Sequence, residues 1–305
     1  MKHIAILLAF LMMLFSPVAA QDFQKGLAAA DADDWATALQ EWTPLAEAGD
    51  TNAQHNLGVM YRKGRGVPKS LTQAIVWYRL AAKQGYAGAQ NNLGTMYEHG
   101  TGVAQNFVEA IRWYQLAADQ GHANAQYNLG VIHGSGVGSL RDYDEAVKWY
   151  RLAANQGYVL AQYNMGKMYV GGLGVIKDYA KAVDWYQLAA EQGYARAQNN
   201  LANRYNNGEG VLQDYAKALS LYRLAAEQGY PMAQNNLGVM YESGNGILQD
   251  NVKAHIWFNI ASANGHKDAS QWRNNIEVKM TSTDILKAQA MAQECMSSNY
   301  KNCGW

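Results

Sequence analysis

The stretch Ala89–Gly121, AQNNLGTMYEHGTGVAQNFVEAIRWYQLAADQG, decides the fold. Alone, it offers a Gly-x-Gly and a histidine, the makings of a phosphate loop beside a base. A 36-residue step through the chain removes that reading. Gly49, Gly85, Gly121, Gly157, Gly193, Gly229 and Gly265 hold one column without insertion. Ala53, Ala89, Ala125, Ala161, Ala197, Ala233 and Ala269 hold a second, and Ala74, Ala110, Ala146, Ala182, Ala218 and Ala254 a third. A phosphate loop occurs once, after a strand and before a helix. This Gly-x-Gly recurs in six units, between two helical patterns, and is expected to be a turn.

Each unit reads as two helices. Helix A carries Ala89, Leu93, Met96 and Tyr97 on one apolar face, the i, i+4, i+7, i+8 spacing. Gly94 follows Leu93 and recurs as Gly58, Gly130, Gly166 and Gly238. A mid-helix glycine costs about 1 kcal/mol relative to alanine, so the column predicts close approach by the partner helix backbone. Helix B carries Ala110, Trp113, Tyr114 and Ala117. Its start is marked by Ser70, Asn106, Asp142, Asp178, Asp214 and Asp250, all good N-caps. Its end is marked by the glycine of the Gln-Gly pair, suited to a left-handed helix terminus. The short turn from B to A predicts antiparallel neighbours. One such pair cannot bury its own apolar face, so units must stack and the two ends need caps. At the front, DFQKGLAAADADDWATALQEWTPL reads as a shortened unit, with Ala38 and Trp42 in the Ala74 and Tyr78 columns. At the back, HKDASQWRNNIEVKM loses the Leu and Gly of helix A, and Asp284 is expected to begin a last helix.

The whole chain has 305 residues, zero formal net charge and 16% charged side chains. Without excess positive charge there is no global pull on nucleic acid or anionic lipid. Residues 1–20, MKHIAILLAFLMMLFSPVAA, read as a signal peptide: Lys2, an apolar run from Ile4 to Phe15, then small residues at Ala19 and Ala20. The run is too short to span about 30 Å of hydrocarbon as a helix. The mature chain is therefore expected to be exported, without membrane insertion after cleavage. The two cysteines, Cys295 and Cys303, then suit a structural disulfide in an oxidising compartment. They are not spaced as Cys-x-x-Cys, and no histidine lies nearby in sequence to complete a zinc site.

The repeated A-x-x-x-L-G-x-x-Y-x-x-G-x-G-V, followed by A-x-x-W-Y-x-x-A-A-x-x-G, resembles the Sel-one-like repeat, a branch of the tetratricopeptide-like helical repeats. The resemblance implies an all-α, right-handed α-solenoid superhelix of antiparallel helix pairs with a 36-residue period. It also implies a non-enzymatic scaffold that holds other proteins, with no cofactor. The expected organisation is a signal peptide over 1–20, an N-terminal capping half-repeat over 21–45, six repeats over 46–265, and C-terminal capping helices with the disulfide over 266–305. In tetratricopeptide-like arrays helix A lines a groove. That geometry, carried over, makes His55, Asn91, Tyr127, Tyr163, Asn199 and Asn235 one lining column. Lys167 belongs to a second column, and Arg62 and Glu98 to a third. Amides can pair with both donors and acceptors of a peptide backbone, and tyrosine gives contact area at low entropic cost. The expected guest is a peptide segment or partner helix anchored by Tyr127 and Tyr163. The column Asn56, Asn92, Asn128, Asn164, Asn200 and Asn236, the same in every unit, suits an inter-repeat hydrogen-bond ladder instead.

Other chemistry finds little support in the residues. His122 and His266 stand in a tyrosine column, and His133 replaces the Tyr97-type residue, so packing explains them better than catalysis. The tryptophans Trp77, Trp113, Trp149, Trp185 and Trp257 share a face with alanine and tyrosine and read as core rather than a sugar-stacking stripe. Ser298 to Lys301 fits Ser-x-x-Lys, but the companion elements of penicillin-recognising enzymes are absent. Two units deviate. The third carries Ser139 and Leu140 around its turn. The fifth carries Ala202, Arg204 and Leu221 in the Gly, Met and Trp columns, and Arg204 must reach solvent or an acidic partner. The leading expectation is an exported adaptor in the periplasm. The alternatives are a cell-wall or β-lactam-binding protein with weak hydrolase activity, or an effector released to the medium.

Overall fold

The computed structural model describes residues 22–138, 141–300 and 303. The signal peptide, Ser139, Leu140 and Lys301 lie outside the described residues. Those described form sixteen α-helices and no strand. The helices are α1 (Phe23–Asp31), α2 (Trp35–Glu47), α3 (Thr51–Lys63), α4 (Leu71–Lys83), α5 (Ala87–His99), α6 (Phe107–Asp119), α7 (Ala123–Ser135) and α8 (Tyr143–Asn155). They continue as α9 (Val159–Gly171), α10 (Tyr179–Glu191), α11 (Ala195–Asn207), α12 (Tyr215–Glu227), α13 (Pro231–Ser243) and α14 (Asn251–Ala263), ending in α15 (Ala269–Glu277) and α16 (Ser282–Ser297). Two compact units divide at Ala117, in the last turns of α6. In the first, each helix from α1 to α5 packs on the next. In the second, the same succession runs from α7 to α14, and both α15 and α16 pack on α14.

Small residues set the spacing. All seven alanines of the helix-A column, Ala53 to Ala269, are fully buried, as are all six of the helix-B column. Between them sit Leu57, Leu93, Leu129, Met165, Leu201 and Leu237, each also buried. A fully buried side chain of this size contributes roughly 1.5–3 kcal/mol.

The mid-helix glycines correct one expectation. What comes close is an aromatic ring of the following helix B, not its backbone. A Cβ on Gly58, Gly94, Gly130, Gly166 or Gly238 would lie 2.5–2.6 Å from the ring of Tyr78, Tyr114, Tyr150, Tyr186 or Phe258. The N-terminal α1–α2 pair repeats the device with other residues: a Cβ on Gly26 would meet the Trp42 indole at 2.5 Å.

The Gly-x-Gly segments are turns. The first glycine ends helix A in the left-handed region, with φ +64° at Gly172 and +65° at Gly100. The second also has positive φ and abuts the start of the preceding helix B: Gly102 faces Leu71, Gly174 faces Tyr143 and Gly246 faces Tyr215. The helix-B caps form as the sequence predicts. Ser70, Asn106, Asp142, Asp178, Asp214 and Asp250 each accept a hydrogen bond from the backbone N–H three residues on.

The last helix starts earlier than expected. Thr281, not Asp284, is the cap of α16; its hydroxyl accepts from the Asp284 N–H and donates to the Asp284 carboxylate. Threonine satisfies the first-turn amide while the aspartate belongs to that turn. Cys295 and Cys303 are joined as a disulfide, and both are buried.

Candidate protein-binding face

The interior side of helix A is closed by amides that the sequence reading passed over. Gln54, Gln90, Gln126, Gln162, Gln198 and Gln234 are all buried. Each donates from Nε2 to a carbonyl near the end of the preceding helix B, such as Ala82 for Gln90 and Ala154 for Gln162. Such carbonyls have no partner within their own helix. The glutamine Oε1 accepts from the amide that ends the next helix B: Gln84 to Gln54, Gln156 to Gln126, Gln192 to Gln162 and Gln228 to Gln198, at 2.7–2.9 Å. In the last corner Asn264 takes this place and bonds Gln234. The Tyr300 phenol covers that corner, accepting from Asn264 Nδ2 at 2.8 Å and donating to its Oδ1. The signal was present in the sequence, since both glutamine columns keep the 36-residue step.

The lining column and the constant asparagine column bond to each other across neighbouring repeats. Asn92 Nδ2 lies 3.0 Å from His55 Nε2, and Asn236 donates to Asn199 at 2.9 Å. Asn164 lies beside both Tyr127 and Tyr150, and Asn200 beside both Tyr163 and Tyr186.

The expected lining residues separate into two groups. His55, Tyr127 and Tyr163 are half-buried and keep an outward surface. Asn91, Asn199 and Asn235 are buried. The physical reason is reach: a short asparagine at this position sinks under its neighbours, whereas a ring extends past them. A guest backbone therefore does not meet an open amide row along the whole column. Each ring is buttressed by two others. Tyr127 packs on Tyr150 and Tyr158 at 5.9 and 5.1 Å between centroids, and Tyr163 on Tyr186 and Tyr194 at 5.9 and 5.2 Å. His55 packs likewise on Tyr78 and Tyr86. Burial pushes the Tyr127 and Tyr163 phenols above their ordinary values, and pushes Tyr186 up to about 12, so all three are neutral donors at neutral pH.

The charged candidates differ in freedom. Lys167 is exposed, with its ammonium 5.8 Å from the Tyr163 ring centroid. Glu98 is held by the Tyr114 hydroxyl at 2.6 Å. Arg62 is half-buried and lies against Tyr78. Arg204 finds the acid that its apolar column demands: it pairs with Glu209, and its guanidinium lies 5.1 Å from the Tyr179 ring centroid.

The residues set aside as non-catalytic take structural places. His122 caps α7, its Nδ1 accepting from the Ala125 N–H at 3.3 Å, and burial lowers its pKa, which favours this neutral acceptor form. Trp149 and Trp257 are buried, and Trp77, Trp113 and Trp185 half-buried. The Ser298 hydroxyl donates to the Cys295 carbonyl at 2.8 Å, at the C-terminus of α16. The negative end of a helix dipole disfavours the alkoxide that a serine nucleophile becomes. Among the described residues, no three His, Cys, Asp or Glu side chains are grouped to hold a metal ion, and no helix is long and apolar enough to cross a membrane.

The Sel1 repeat family model matches six consecutive segments, 51–86, 87–122, 123–158, 159–194, 195–230 and 231–266. A Sel1 repeat protein from Oxalobacter formigenes is similar in structure, with a TM-score of 0.71 and 37% identity over 79% of this chain and 97% of that one. The c5321 protective antigen of uropathogenic Escherichia coli, which has an SLR fold, matches with a TM-score of 0.50 and 26% identity over 91% of this chain and 85% of that one. No curated protein matches. Six repeats in unbroken register and a solved relative at this identity establish that the chain belongs to the Sel1 repeat family.

Proposed function

We propose that the mature chain is an exported, non-enzymatic adaptor that holds a segment of a protein partner on the helix-A face of its third and fourth repeats. Sel1 repeat proteins generally mediate protein–protein interactions. The observation that carries the reading is the pair Tyr127 and Tyr163. Two consecutive repeats present a ring that is backed by two other rings and still open on its outer side. Rigid aromatic side chains of this kind lose little freedom on binding and dominate the energetics of interfaces. Lys167, exposed beside Tyr163, favours a guest with an acidic or carbonyl-rich stretch at that point. The buried Cys295–Cys303 bond is compatible with an oxidising compartment, and the periplasm is the proposed location.

The test is in-cell crosslinking from a photoreactive residue at position 163, with mass spectrometry of the adduct. One protein should dominate the adducts. Its capture by the purified chain should weaken about 30-fold or more in Tyr127→Ala/Tyr163→Ala, the loss expected for two interface anchors, while the far-UV helical signal is retained. Capture at wild-type strength would move the site elsewhere, and recovery of the chain from culture medium alone would overturn the periplasmic location.

A further inference from the structure

The fifth and sixth repeats build a second kind of surface. A cleft of ≈ 240 Å³ opens between α11 and α13. Its polar lining comprises Asn203, Asn206, Asn207, Asn236, Ser243 and Asn245, with the Tyr222 hydroxyl at its floor. No lining residue carries a charge. One repeat earlier, the six positions hold Lys167, Val170, Gly171, Asn200, Asn207 and Glu209. Four of the six differ in chemical type, so the convergence of amides belongs to this pair of repeats and is not imposed by the solenoid.

Some of these groups hold the cleft together and others are left for a guest. Asn203 Oδ1 accepts from the Tyr222 hydroxyl at 2.6 Å and from Asn236 Nδ2 at 3.4 Å, which fixes the floor. Asn206 Nδ2 donates to Asn207 Oδ1 at 2.8 Å, which fixes the rim. That leaves Asn203 Nδ2, Asn206 Oδ1, Asn207 Nδ2 and the Asn245 carboxamide to offer donors and acceptors within one small space. Val239, partly exposed, gives a small apolar contact beside them, while Met240 is buried beneath.

We propose that this cleft binds a neutral saccharide unit. Sugar hydroxyls donate and accept, and carboxamides are the neutral side chains that answer both roles at once. A charged ligand would lose hydration on entry and meet no opposite charge. The mostly polar lining suits a ring covered in hydroxyls, with Val239 against one C–H edge, and the small volume suits a single ring rather than a drug-sized molecule. An extended peptide would need its partners spread along a trough at about 3.3 Å per residue; here they line one small cleft. The cleft shares no residue with the Tyr127 and Tyr163 pair, so either proposal can fail alone.

The full mature chain serves for the test, by saturation-transfer NMR with three probes at millimolar concentration: the β-1,4 disaccharide of N-acetylglucosamine, maltose and trialanine. At least one disaccharide should receive transfer, and trialanine should not displace it. In Asn207→Leu/Asn245→Leu, two exposed rim positions, affinity should fall about tenfold or more, from the loss of two hydrogen bonds. A thermal melt matching the wild type shows that the variant is folded. Transfer to neither disaccharide, equal affinity in the folded variant, or displacement by trialanine would each overturn the assignment.

Discussion

Two sides of α9 obey different rules. Gln162 and Gly166 face the interior, where every contact is prescribed: one amide closes the corner to Ala154 and Gln192, and one missing side chain makes room for the Tyr186 ring. Tyr163 and Lys167, each one residue further along the same helix, keep an outward surface: Tyr163 is half-buried against two rings and Lys167 is exposed. The inward positions repeat unchanged in the neighbouring repeats, as Gln126 and Gly130 before and Gln198 and Ala202 after, with alanine the single departure. The outward ones drift from Tyr127 and Val131 to Asn199 and Asn203. One helix thus holds the array in register with one side and is free to specialise with the other.

That contrast can be broken at its strongest point. Gly166→Val would push a branched side chain into the Tyr186 ring, and overpacking of this kind should cost about 2–3 kcal/mol. Urea unfolding followed by tryptophan fluorescence would read it, and an unchanged midpoint would mean that the ring moves aside freely. Next in size is Gln162→Ala, which strips a bond from the Ala154 carbonyl and an acceptor from Gln192; about 1–2 kcal/mol should be lost in the same measurement. The smallest effect should be Lys167→Ala, within about 0.5 kcal/mol of wild type. A large loss there would erase the distinction between the two sides. Below these lies a pH effect at the cap of α10. The Lys181 N–H, with the Lys181 ammonium beside it, holds the Asp178 carboxyl below its ordinary value. Its contribution is present above the unfolded-state pKa of aspartate and is lost as pH falls through the lower folded value.

The sequence made legible whatever the backbone demands. The left-handed glycines, the six helix-B caps and the alanine columns each have one chemical solution, so a 36-residue step exposes them. Contacts between side chains from different helices were harder to see. The glycine column signalled close approach, but that a ring of the following helix fills the space depends on where Tyr186 points. The sinking of Asn91, Asn199 and Asn235 follows from side-chain length against a neighbour's position, which periodicity does not carry. Arg204 narrowed to two outcomes in the sequence; only the turn that brings Glu209 back beside it selects one. The glutamine corners had a plain repeating signal, yet polar residues at a helix start read as solvent-facing until the carbonyls they close are located.

The corner bonds also say how such an array can change in length. Each reaches only its own repeat and the one before: Gln162 bonds Gln192 in the fourth repeat and Ala154 in the third, and Gln198 bonds Gln228 in the fifth and Ala190 in the fourth. A 36-residue cassette copied or deleted in the middle therefore leaves every surviving glutamine corner chemically intact. The tail is different, because Tyr300 already sits on Asn264, where a further repeat would have to dock. An internal repeat can therefore be gained or lost without disturbing a glutamine corner, whereas the corner after the sixth repeat is already covered by Tyr300.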